Sequence, residues 1–355
     1  METKTVLLDM NLSELEEYLR SLGEADFRAK QLYQWVYSSL ATDFDQMTNL
    51  PRPLRQKLGE SAIILPLRPI STRVDDNGLT RKVLFELLDG RTIESVLLIY
   101  EGSPSSKARR TVCVSSQVGC AIGCPFCATG AGGFERNLTA GEIVGQVLYF
   151  ARELASGKMG TGRITNVVYM GQGEPLANFE SVLKSVELLN SPYGFNLGAR
   201  HITISTAGIP HRIRELARWP MQVGLAISLH APNNDLRNRL VPINRRYPIE
   251  DLIAACKEYI KITNRRLTFE YALIWEVNDS VRHARELAKL LRGMLCHVNL
   301  IPLNATSSEF RPTSKERIDL FAKELGREGI ATTVRVARGS HIEAACGQLK
   351  SARVR

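Results

Sequence analysis

Strand-like and helix-like segments alternate along the chain from about residue 110 onward, and this alternation constrains the fold more than any other feature. The sequence predicts strands at Arg110–Ser115, Ile164–Met170, His201–Ser205, Val223–Leu229, Leu267–Leu273 and His297–Pro302, and a further strand at Thr332–Val336. Helical periodicity fills most of the intervals, for example at Ala140–Leu154, Phe179–Leu189 and Val281–Leu291. Such alternation is typical of parallel strands joined by crossover helices. We therefore predict an α/β fold built on a partial, TIM-like (β/α)6 barrel, with reactive groups at the carboxyl ends of its strands.

The chain before residue 106 has a different pattern. Residues 1–62 predict short helices, with Asn11 or Ser13 as the candidate N-cap of the first one. Residues 63–105 contain two β-like runs separated by Asp89-Gly90, a dipeptide typical of hairpin turns. We expect an N-terminal helical accessory domain over residues 1–62 and a β-hairpin linker over 63–105. A catalytic core over 106–340 and a C-terminal segment over 341–355 would follow.

The charge distribution separates these regions as well. The chain has 46 Lys and Arg residues against 37 Asp and Glu residues, which gives a formal charge of +9. Residues 1–60 hold 7 basic and 10 acidic residues, so the remainder holds 39 and 27. A basic catalytic portion favours a polyanionic partner such as nucleic acid. The basic runs Arg237–Arg246 and Lys261–Arg266 are therefore either candidate phosphate contacts or solvated surface charge.

The first residues of the sequence and its cysteines indicate the cellular compartment in which the protein works. The first 22 residues include several acidic residues, unlike a signal peptide. No apolar run approaches the roughly 18–20 residues that a membrane span needs. We therefore expect a cytoplasmic protein with no membrane contact. In a reducing cytosol, clustered cysteines more often bind metal or do chemistry than form structural bridges.

Three of the seven cysteines lie in one short loop. Cys120, Cys124 and Cys127 have the spacing C-x3-C-x2-C directly after a predicted strand, and Gly119 and Gly123 allow the loop to turn tightly. A structural zinc site needs a fourth protein ligand, usually from a second paired motif, and the sequence has no second C-x2-C pair. Three cysteines on a four-iron cluster leave one iron open for a cofactor. The spacing therefore favours a 4Fe-4S cluster over zinc and over metal-free thiols.

Several further motifs accompany this loop. They are Phe27-Arg-Ala-Lys-Gln-Leu32, Cys113-Val-Ser-Ser-Gln-Val-Gly-Cys120, Met170-Gly-Gln-Gly-Glu-Pro-Leu176, Ile227-Ser-Leu-His-Ala-Pro-Asn233, Val241-Pro-Ile-Asn244, Val298-Asn-Leu-Ile-Pro-Leu-Asn304 and Ala344-Ala-Cys-Gly-Gln-Leu349. Together with the cysteine loop, this set resembles the radical S-adenosylmethionine superfamily. Within that superfamily it is similar to the family of ribosomal and transfer RNA adenine-C2 methyltransferases, over about residues 12–350. The resemblance implies a radical SAM barrel, one 4Fe-4S cluster and two molecules of S-adenosyl-L-methionine per turnover.

The resemblance also assigns residues to the cofactor pocket. Gly173 and Glu174 would contact the amino group of S-adenosylmethionine. The other residues that the resemblance places in this pocket are Ser205, Ser228, Leu229, His230 and Asn304. Taken without the resemblance, Glu174 is equally suited to the N-terminus of a helix, and His230 to a structural role in the core.

Three more residues would carry the reaction. By resemblance, Cys346 accepts a methyl group from the first S-adenosylmethionine, and the 5′-deoxyadenosyl radical from the second takes a hydrogen atom from that methyl. The carbon then adds to adenine C2, Glu94 removes the C2 proton, and Cys113 releases the product by forming a transient disulfide with Cys346. From the residues alone, both cysteines could be ordinary buried thiols, and Glu94 could be a solvent-facing residue on an edge strand.

The resemblance implies RNA partners. These are 23S rRNA, modified at adenine 2503 before ribosome assembly is complete, and tRNAs, modified at adenine 37, with the N-terminal domain binding RNA. The target adenine must leave its stack to be reached. A flavodoxin or ferredoxin would donate electrons, and the enzyme would act as a monomer. Three alternatives stay open at this point: a Cfr-type adenine-C8 methyltransferase, a metal-containing RNA-binding protein without catalysis, and a radical enzyme that acts on a protein.

Overall fold

A computed structural model describes residues 4–104, 107–306, 308–335 and 338–350. Its strands are β1 (Thr5–Val6), β2 (Ala62–Ile63), β3 (Leu67–Val74), β4 (Thr80–Leu87), β5 (Thr92–Tyr100), β6 (Arg109–Cys113), β7 (Gln117–Gly119), β8 (Phe134–Asn137), β9 (Asn166–Tyr169), β10 (Ile202–Thr206), β11 (Gly224–Ser228), β12 (Leu267–Leu273), β13 (Cys296–Pro302) and β14 (Thr332–Val334). Its α-helices are α1 (Leu12–Ser21), α2 (Phe27–Tyr37), α3 (Arg52–Ser61), α4 (Ala128–Ala131), α5 (Ala140–Ala155), α6 (Phe179–Asn190), α7 (Pro210–Arg218), α8 (Asn234–Leu240), α9 (Ile249–Thr263), α10 (Val281–Leu291) and α11 (Lys315–Arg327).

One large sheet organises the molecule. Its strand order is β14-β13-β12-β11-β10-β9-β6-β5-β4-β3. The seven strands from β6 through β9 to β14 run parallel, while β5, β4 and β3 add to the β6 side in antiparallel pairing. Within the described residues β14 and β3 form the two edges, so the barrel is open. The predicted α/β fold with a partial (β/α)6 barrel is confirmed.

The predicted elements of the barrel are present with small shifts at their ends. Strand β12 and helix α10 have the predicted bounds, and helix α5 ends one residue later than expected. These segments were predictable because their apolar residues recur with the period of a strand or a helix and are buried in the core. The last predicted strand begins at Thr332 as expected, whereas Val336 lies outside the described residues.

The N-terminal helices pack onto the barrel rather than standing apart from it. Helix α1 begins with a capping box, because the Asn11 side chain accepts from the Glu14 amide and the Glu14 carboxylate accepts from the Asn11 amide. Leu19 of α1 and Leu32 of α2 belong to the same hydrophobic core as the sheet. The amide of Gly141, in the first turn of α5, donates to the Asp9 carboxylate over 2.6 Å.

The predicted hairpin between residues 81 and 99 is present, with its turn at Asp89-Gly90. Instead of a separate linker, it is part of the main sheet, because β5 pairs with β6. Strand β3 was not predicted, since its residues after Leu67 are exposed and their polar sequence has no strand periodicity. The placement of Glu94 on an edge strand is wrong: β5 lies between β4 and β6, and Glu94 is only 7% exposed.

The C-terminal segment, residues 338–350, lies on β5 and β6. Its residues Ile342, Ala344 and Leu349 pack against Val96 and Leu98 of β5. Hydrogen bonds attach it to several other elements, among them Arg338 Nη1 to Ile99 O (3.0 Å), Asn304 Nδ2 to Cys346 O (3.1 Å), Ala128 N to Gly347 O (2.7 Å), Gln348 Nε2 to Ala305 O (2.8 Å), Thr129 Oγ1 to Leu349 O (2.5 Å) and Lys350 N to Glu94 Oε2 (2.9 Å). The position of Cys346 is therefore fixed from both sides.

Within the described part of the chain, no helix combines the length and the apolar composition that crossing a bilayer requires.

Candidate functional site

The cysteine loop joins β7 to α4 at the carboxyl side of the barrel. Cys120, Cys124 and Cys127 all line one cavity of about 960 Å³, which we call the cluster cavity. Gly119 has a φ of +75°, and a Cβ there would lie 2.0 Å from the carbonyl oxygen of Gly133. Only glycine fits this position, so the tight turn predicted from the sequence is a steric requirement.

The thiols of the loop are partly buried and act on one another. Burial, with smaller contributions from the nearby Glu174 and Cys127, raises the pKa of Cys120 to about 12. Burial and the other two cysteines likewise raise the pKa of Cys124. Cys120 and Cys124 therefore resist ionisation as free thiols, and a bound metal would supply the positive charge that holds them as thiolates.

The spacing of these thiols bears on which metal group they fit. Among the described residues, no three His, Cys, Asp or Glu side chains converge closely enough to hold a single metal ion. A four-iron cluster is wider than one ion and takes one thiolate at each of three corners. Cys120, Cys124 and Cys127, arranged around a cavity, therefore fit a 4Fe-4S cluster.

The strand-end residues meet in the cluster cavity, with one exception. Those that line it are Gly173, Glu174, Ser205, Ser228, His230 and Asn304. Leu229 does not, because its side chain is fully buried in the main core. Its amide donates to Glu270 O over 3.1 Å and its carbonyl accepts from Arg237 Nε over 3.1 Å. The Leu229 side chain is therefore not part of the cavity wall, and its contact with the cofactor stays a prediction.

Glu174 is held in place by the ends of two strands. Its Oε1 accepts from Thr206 Oγ1 (2.7 Å) and from the Leu176 amide (2.9 Å), and its Oε2 accepts from the Ala207 amide (2.7 Å). Burial raises its pKa, and these hydrogen bonds oppose that effect. Glu174 thus caps a short 3-10 turn, the alternative role considered above, while also facing the cluster cavity.

Position 173 requires glycine for its backbone conformation and for close packing. Its φ is +104°, and a Cβ would lie 2.6 Å from Cβ of Gln117. The Oε1 atom of Gln117 accepts from the Glu174 amide over 2.8 Å, so β7 directly orients this pair.

His230 is a neutral, buried residue of the cavity wall. Its φ is +58°, and its Nδ1 accepts from the Ala272 amide over 3.0 Å. The proton of the ring therefore lies on Nε2. Burial lowers the pKa of His230 to about 3, with Arg237 adding to the effect, so the ring stays uncharged at neutral pH. Its structural role and its place in the pocket are compatible.

Arg237 lies beneath the site. It is fully buried, and its guanidinium donates to the Leu229 carbonyl and to Asn244 Oδ1 over 3.1 and 3.0 Å and also to Ala207 O. The prediction of this residue as a phosphate contact is wrong, because RNA cannot reach it. Arg239, Arg245 and Arg246 of the same run are exposed.

Cys113 and Cys346 face a second cavity of about 600 Å³, which we call the thiol cavity. Cys113 is the last residue of β6 and is 9% exposed. Burial and, to a smaller extent, Cys346 raise its pKa to about 12, although Arg335 opposes both effects. Cys346 lines both the thiol cavity and the cluster cavity. Among the described cysteines it is the one that lines both cavities.

Arg335 was not singled out from the sequence. It directly follows β14 and lines both cavities. Its pKa is raised, first by Cys346 and also by Glu270. The strand-end rule that selected the other residues would have found it, because it comes one residue after a barrel strand.

Glu94 is close to this site without lining either cavity. It lines a smaller cavity with Lys82, Glu343 and Lys350. Its Oε1 lies 2.9 Å from Lys82 Nζ, and its Oε2 accepts from the Lys350 amide. The C-terminal segment is therefore attached to the carboxylate that the family resemblance marks as a base.

Comparisons with known proteins agree with this arrangement. Residues 5–64 match the ribosomal RNA large subunit methyltransferase N-terminal domain, and residues 114–288 match the radical SAM superfamily. A probable dual-specificity RNA methyltransferase RlmN of Caldanaerobacter subterraneus subsp. tengcongensis is 50% identical over 97% of both chains. The protein of the same name from Moorella thermoacetica is 48% identical over 99% of both.

A solved structure is similar throughout. The crystal structure of a radical SAM methyltransferase from Sphaerobacter thermophilus is 52% identical, with a TM-score of 0.93, over 97% of this chain and 99% of that one.

Proposed function

The chain belongs to the RlmN family of radical S-adenosylmethionine RNA methyltransferases, and from this premise we propose that it methylates C2 of adenine 2503 in 23S rRNA and of adenine 37 in tRNAs. The enzyme is a methyltransferase of rRNA and tRNA that uses a 4Fe-4S cluster and S-adenosylmethionine. The observation that carries the proposal is the position of Cys346, which lines both the cluster cavity and the thiol cavity.

The residues of the cluster cavity have binding roles in this proposal. Cys120, Cys124 and Cys127 hold three corners of the cluster, and Gly173 and Glu174 bind the amino group of S-adenosylmethionine. Ser205, Ser228, His230 and Asn304 line the remainder of the pocket. When bound, the cluster and S-adenosylmethionine supply the radical that takes a hydrogen atom from the methyl carried by Cys346.

The sulfur atoms of Cys346 and Cys113 form and break covalent bonds during the proposed reaction. The Cys346 sulfur, after losing its proton, takes a methyl group from a sulfonium, whose thioether leaves. Its methyl carbon, after losing a hydrogen atom, becomes joined to adenine C2. The adduct then loses the C2 proton and one electron, which the oxidised cluster would accept. The Cys113 thiolate then attacks the Cys346 sulfur, so that an S–S bond forms while the bond between sulfur and the transferred carbon breaks, and that carbon gains a proton. The disulfide must be reduced before the next turnover.

Glu94 is the proposed acceptor of the C2 proton. In the described structure its carboxylate is bonded to Lys82 and to the Lys350 amide. Proton transfer therefore requires the C-terminal segment to shift at Lys350, so that Glu94 becomes accessible from the thiol cavity.

The proposed setting is the cytosol, with a flavodoxin or ferredoxin as electron donor and a monomeric enzyme. The rRNA substrate is taken before the ribosome is fully assembled, because a base in the finished particle is packed and stacked.

One experiment separates this function from the alternatives. The reconstituted enzyme is incubated anaerobically with rRNA, tRNA, reductant and S-adenosylmethionine, and the RNA is digested for nucleoside mass spectrometry. We expect 2-methyladenosine from both RNAs. A product methylated only at C8 would indicate a Cfr-type enzyme instead, and RNA binding without 5′-deoxyadenosine formation would indicate a non-catalytic protein.

A further inference from the structure

Four arginines surround Tyr100 at the end of β5, and we propose that this surface binds phosphates of the RNA strand that carries the target adenosine. The residues are Arg81, Arg109, Arg110 and Arg338, and we call them the Tyr100 arginine surface. The proposal rests on the proposed function, since it names the part of the protein that grips that RNA.

Two of the guanidinium groups stack near the tyrosine ring. The guanidinium carbon of Arg109 lies 4.9 Å from the ring centroid of Tyr100, and that of Arg338 lies 4.4 Å from it. Arg109 pairs with Tyr100 across the strands, and Arg338 Nη1 donates to Ile99 O over 3.0 Å. Because stacking orients the planar groups, their remaining donors are available in a fixed direction.

The other two arginines line an adjoining cavity of about 880 Å³ together with Tyr100 and Thr161. The Nε atoms of Arg81 and Arg110 are buried and have no hydrogen-bond partner within the described residues. Gly162 makes room for Arg110, because a Cβ there would lie 2.7 Å from its Cζ. Buried donors without partners are uncommon in native proteins. The two Nε atoms are closed to an external ligand, but Arg81 and Arg110 line the cavity, and a phosphate is the acceptor that suits a guanidinium group there.

The electrostatics point to an anion. In the parts of the chain that the structure describes, none of the four arginines forms an ion pair with a carboxylate, whereas Arg73, Arg214 and Arg292 elsewhere do. The cavity has one acidic lining residue, Glu101, against two arginines. A surface with this excess of unpaired guanidinium groups favours a polyanion over a neutral or cationic ligand.

The Tyr100 arginine surface lies beside the thiol cavity, where the proposed reaction takes place. Tyr100 and Arg338 also line the thiol cavity, where Cys113 and Cys346 lie. A strand held here by its phosphates has its bases next to the entrance of that cavity. Since the target adenine must leave its stack, anchoring the neighbouring backbone is what makes the extrusion of one base possible.

The test measures RNA binding as a function of salt. The reconstituted full-length enzyme is titrated against a labelled anticodon stem-loop RNA at several KCl concentrations. For Arg81→Met/Arg110→Met we expect about tenfold weaker binding at low salt. The slope of log K against log salt should fall by about 1.4, since the variant loses two single-strand phosphate contacts and each removes about 0.7. The matched control is Lys289→Met/Lys323→Met, which removes two exposed charges from α10 and α11 and should change neither value.

A second variant tests the same surface at an exposed position, where a substitution should not affect folding. Arg109 is exposed, so Arg109→Met removes one stacked guanidinium from the surface without opening the core. We expect a slope decrease of about 0.7 with an unchanged melting temperature and iron content. Unchanged RNA affinity and slope in both variants would overturn the proposal. So would equal loss of binding in the lysine control.

The outcomes distinguish this proposal from the proposed function. If the wild-type enzyme makes no 2-methyladenosine, the proposed function fails. If it does, and the arginine variants still bind RNA as tightly as wild type, only the RNA-binding surface fails. Tighter binding of polyglutamate than of RNA to the wild-type surface would also overturn it, because the occupant would then be an acidic protein.

Discussion

The amide of Ala128, the residue after Cys127, donates a 2.7 Å hydrogen bond to the carbonyl oxygen of Gly347, the residue after Cys346. The next residue, Thr129, donates to Leu349 O over 2.5 Å. The C-terminal segment is therefore fastened to the helix that continues the cysteine loop. A reactive group on Cys346 therefore keeps a fixed position relative to the proposed cluster ligands. Holding reacting groups in a fixed orientation is one way in which enzymes raise reaction rates.

Replacing Cys346 tests its role as methyl carrier. In Cys346→Ala we expect RNA methylation to fall below detection, because no sulfur remains to accept the methyl, while 5′-deoxyadenosine formation stays measurable. Nucleoside mass spectrometry and chromatography of the cleavage product give the two readouts. Cys296→Ala is the control, since Cys296 opens β13 and lines neither cavity. Methylation by Cys346→Ala at the wild-type rate would exclude the carrier role.

Replacing Cys113 should arrest the reaction after the adduct has formed. Without the second thiol nothing attacks the Cys346 sulfur, so Cys113→Ala should accumulate a covalent protein–RNA species, visible as a shifted band in a denaturing gel. Ribonuclease treatment should return the shifted band to about the mobility of the unmodified protein. Normal turnover without a shifted band would remove Cys113 from the scheme.

The reactivity of Cys113 should report its burial. Since its pKa is raised to about 12 from 9.0, its thiolate fraction at pH 8 should be about a thousandfold lower than that of an ordinary thiol. Alkylation by iodoacetamide, followed by peptide mass spectrometry, should accelerate about tenfold per pH unit. The urea-unfolded chain is the control, where Cys113 should react like the other cysteines. Equal rates in the folded and unfolded chains would contradict the burial of this thiol.

The pair formed by Lys82 and Glu94 should contribute strongly to stability. Both side chains are buried, and Lys82 Nζ also donates to Glu343 O over 3.0 Å. Lys82→Met leaves the Glu94 carboxylate without its cation, so we expect the free energy of unfolding to fall by about 3 kcal/mol.

Urea denaturation measures this loss, and Lys158→Met, which breaks an exposed pair with Glu153, should cost less than about 1 kcal/mol. The double variant Lys82→Met/Glu94→Gln should be less destabilised than the sum of the single variants, since it leaves no unpaired buried charge. Additive losses would show that the two side chains are not coupled.

Asp89, at the β4–β5 turn, should give the fold an acid-sensitive contribution. Burial raises its pKa, but hydrogen bonds from Arg136 and Arg91 outweigh this effect and lower the pKa to about 2 from 3.8. Because the folded pKa is the lower one, the contribution is present above about pH 4 and is lost as the pH falls toward 2. Allowing for solvent screening, Asp89→Asn should lower the free energy of unfolding by about 1 kcal/mol at pH 7.

The check is urea denaturation at several pH values, with the difference between wild type and Asp89→Asn shrinking as the pH approaches 2. The control is Asp76→Asn at an exposed loop position, which should change the free energy of unfolding at pH 7 by less than about 0.5 kcal/mol. A difference that persists unchanged at pH 2 would contradict the assignment.

The barrel was predictable because local periodicity and burial agree along its strands and helices. Strand β3 lacked that agreement, and β7 and β8 are short segments beside a glycine-rich turn. The proposed cluster ligands were inferred from spacing alone. In contrast, the burial of Arg237 and the pairing of Lys82 with Glu94 depend on which strands approach one another in space. A basic run in the sequence gives no sign of which of its members points inward.

Residues 129 and 349, which share a hydrogen bond in the finished site, are 220 positions apart in the chain. The cysteine loop therefore leaves the ribosome long before the segment that completes its surroundings. Domains fold as they emerge from the amino terminus onward, so a nascent chain can form most of the sheet while the thiol cavity still lacks one wall. The enzyme that modifies ribosomal RNA can therefore complete its own reaction chamber only after a ribosome has synthesised residue 349.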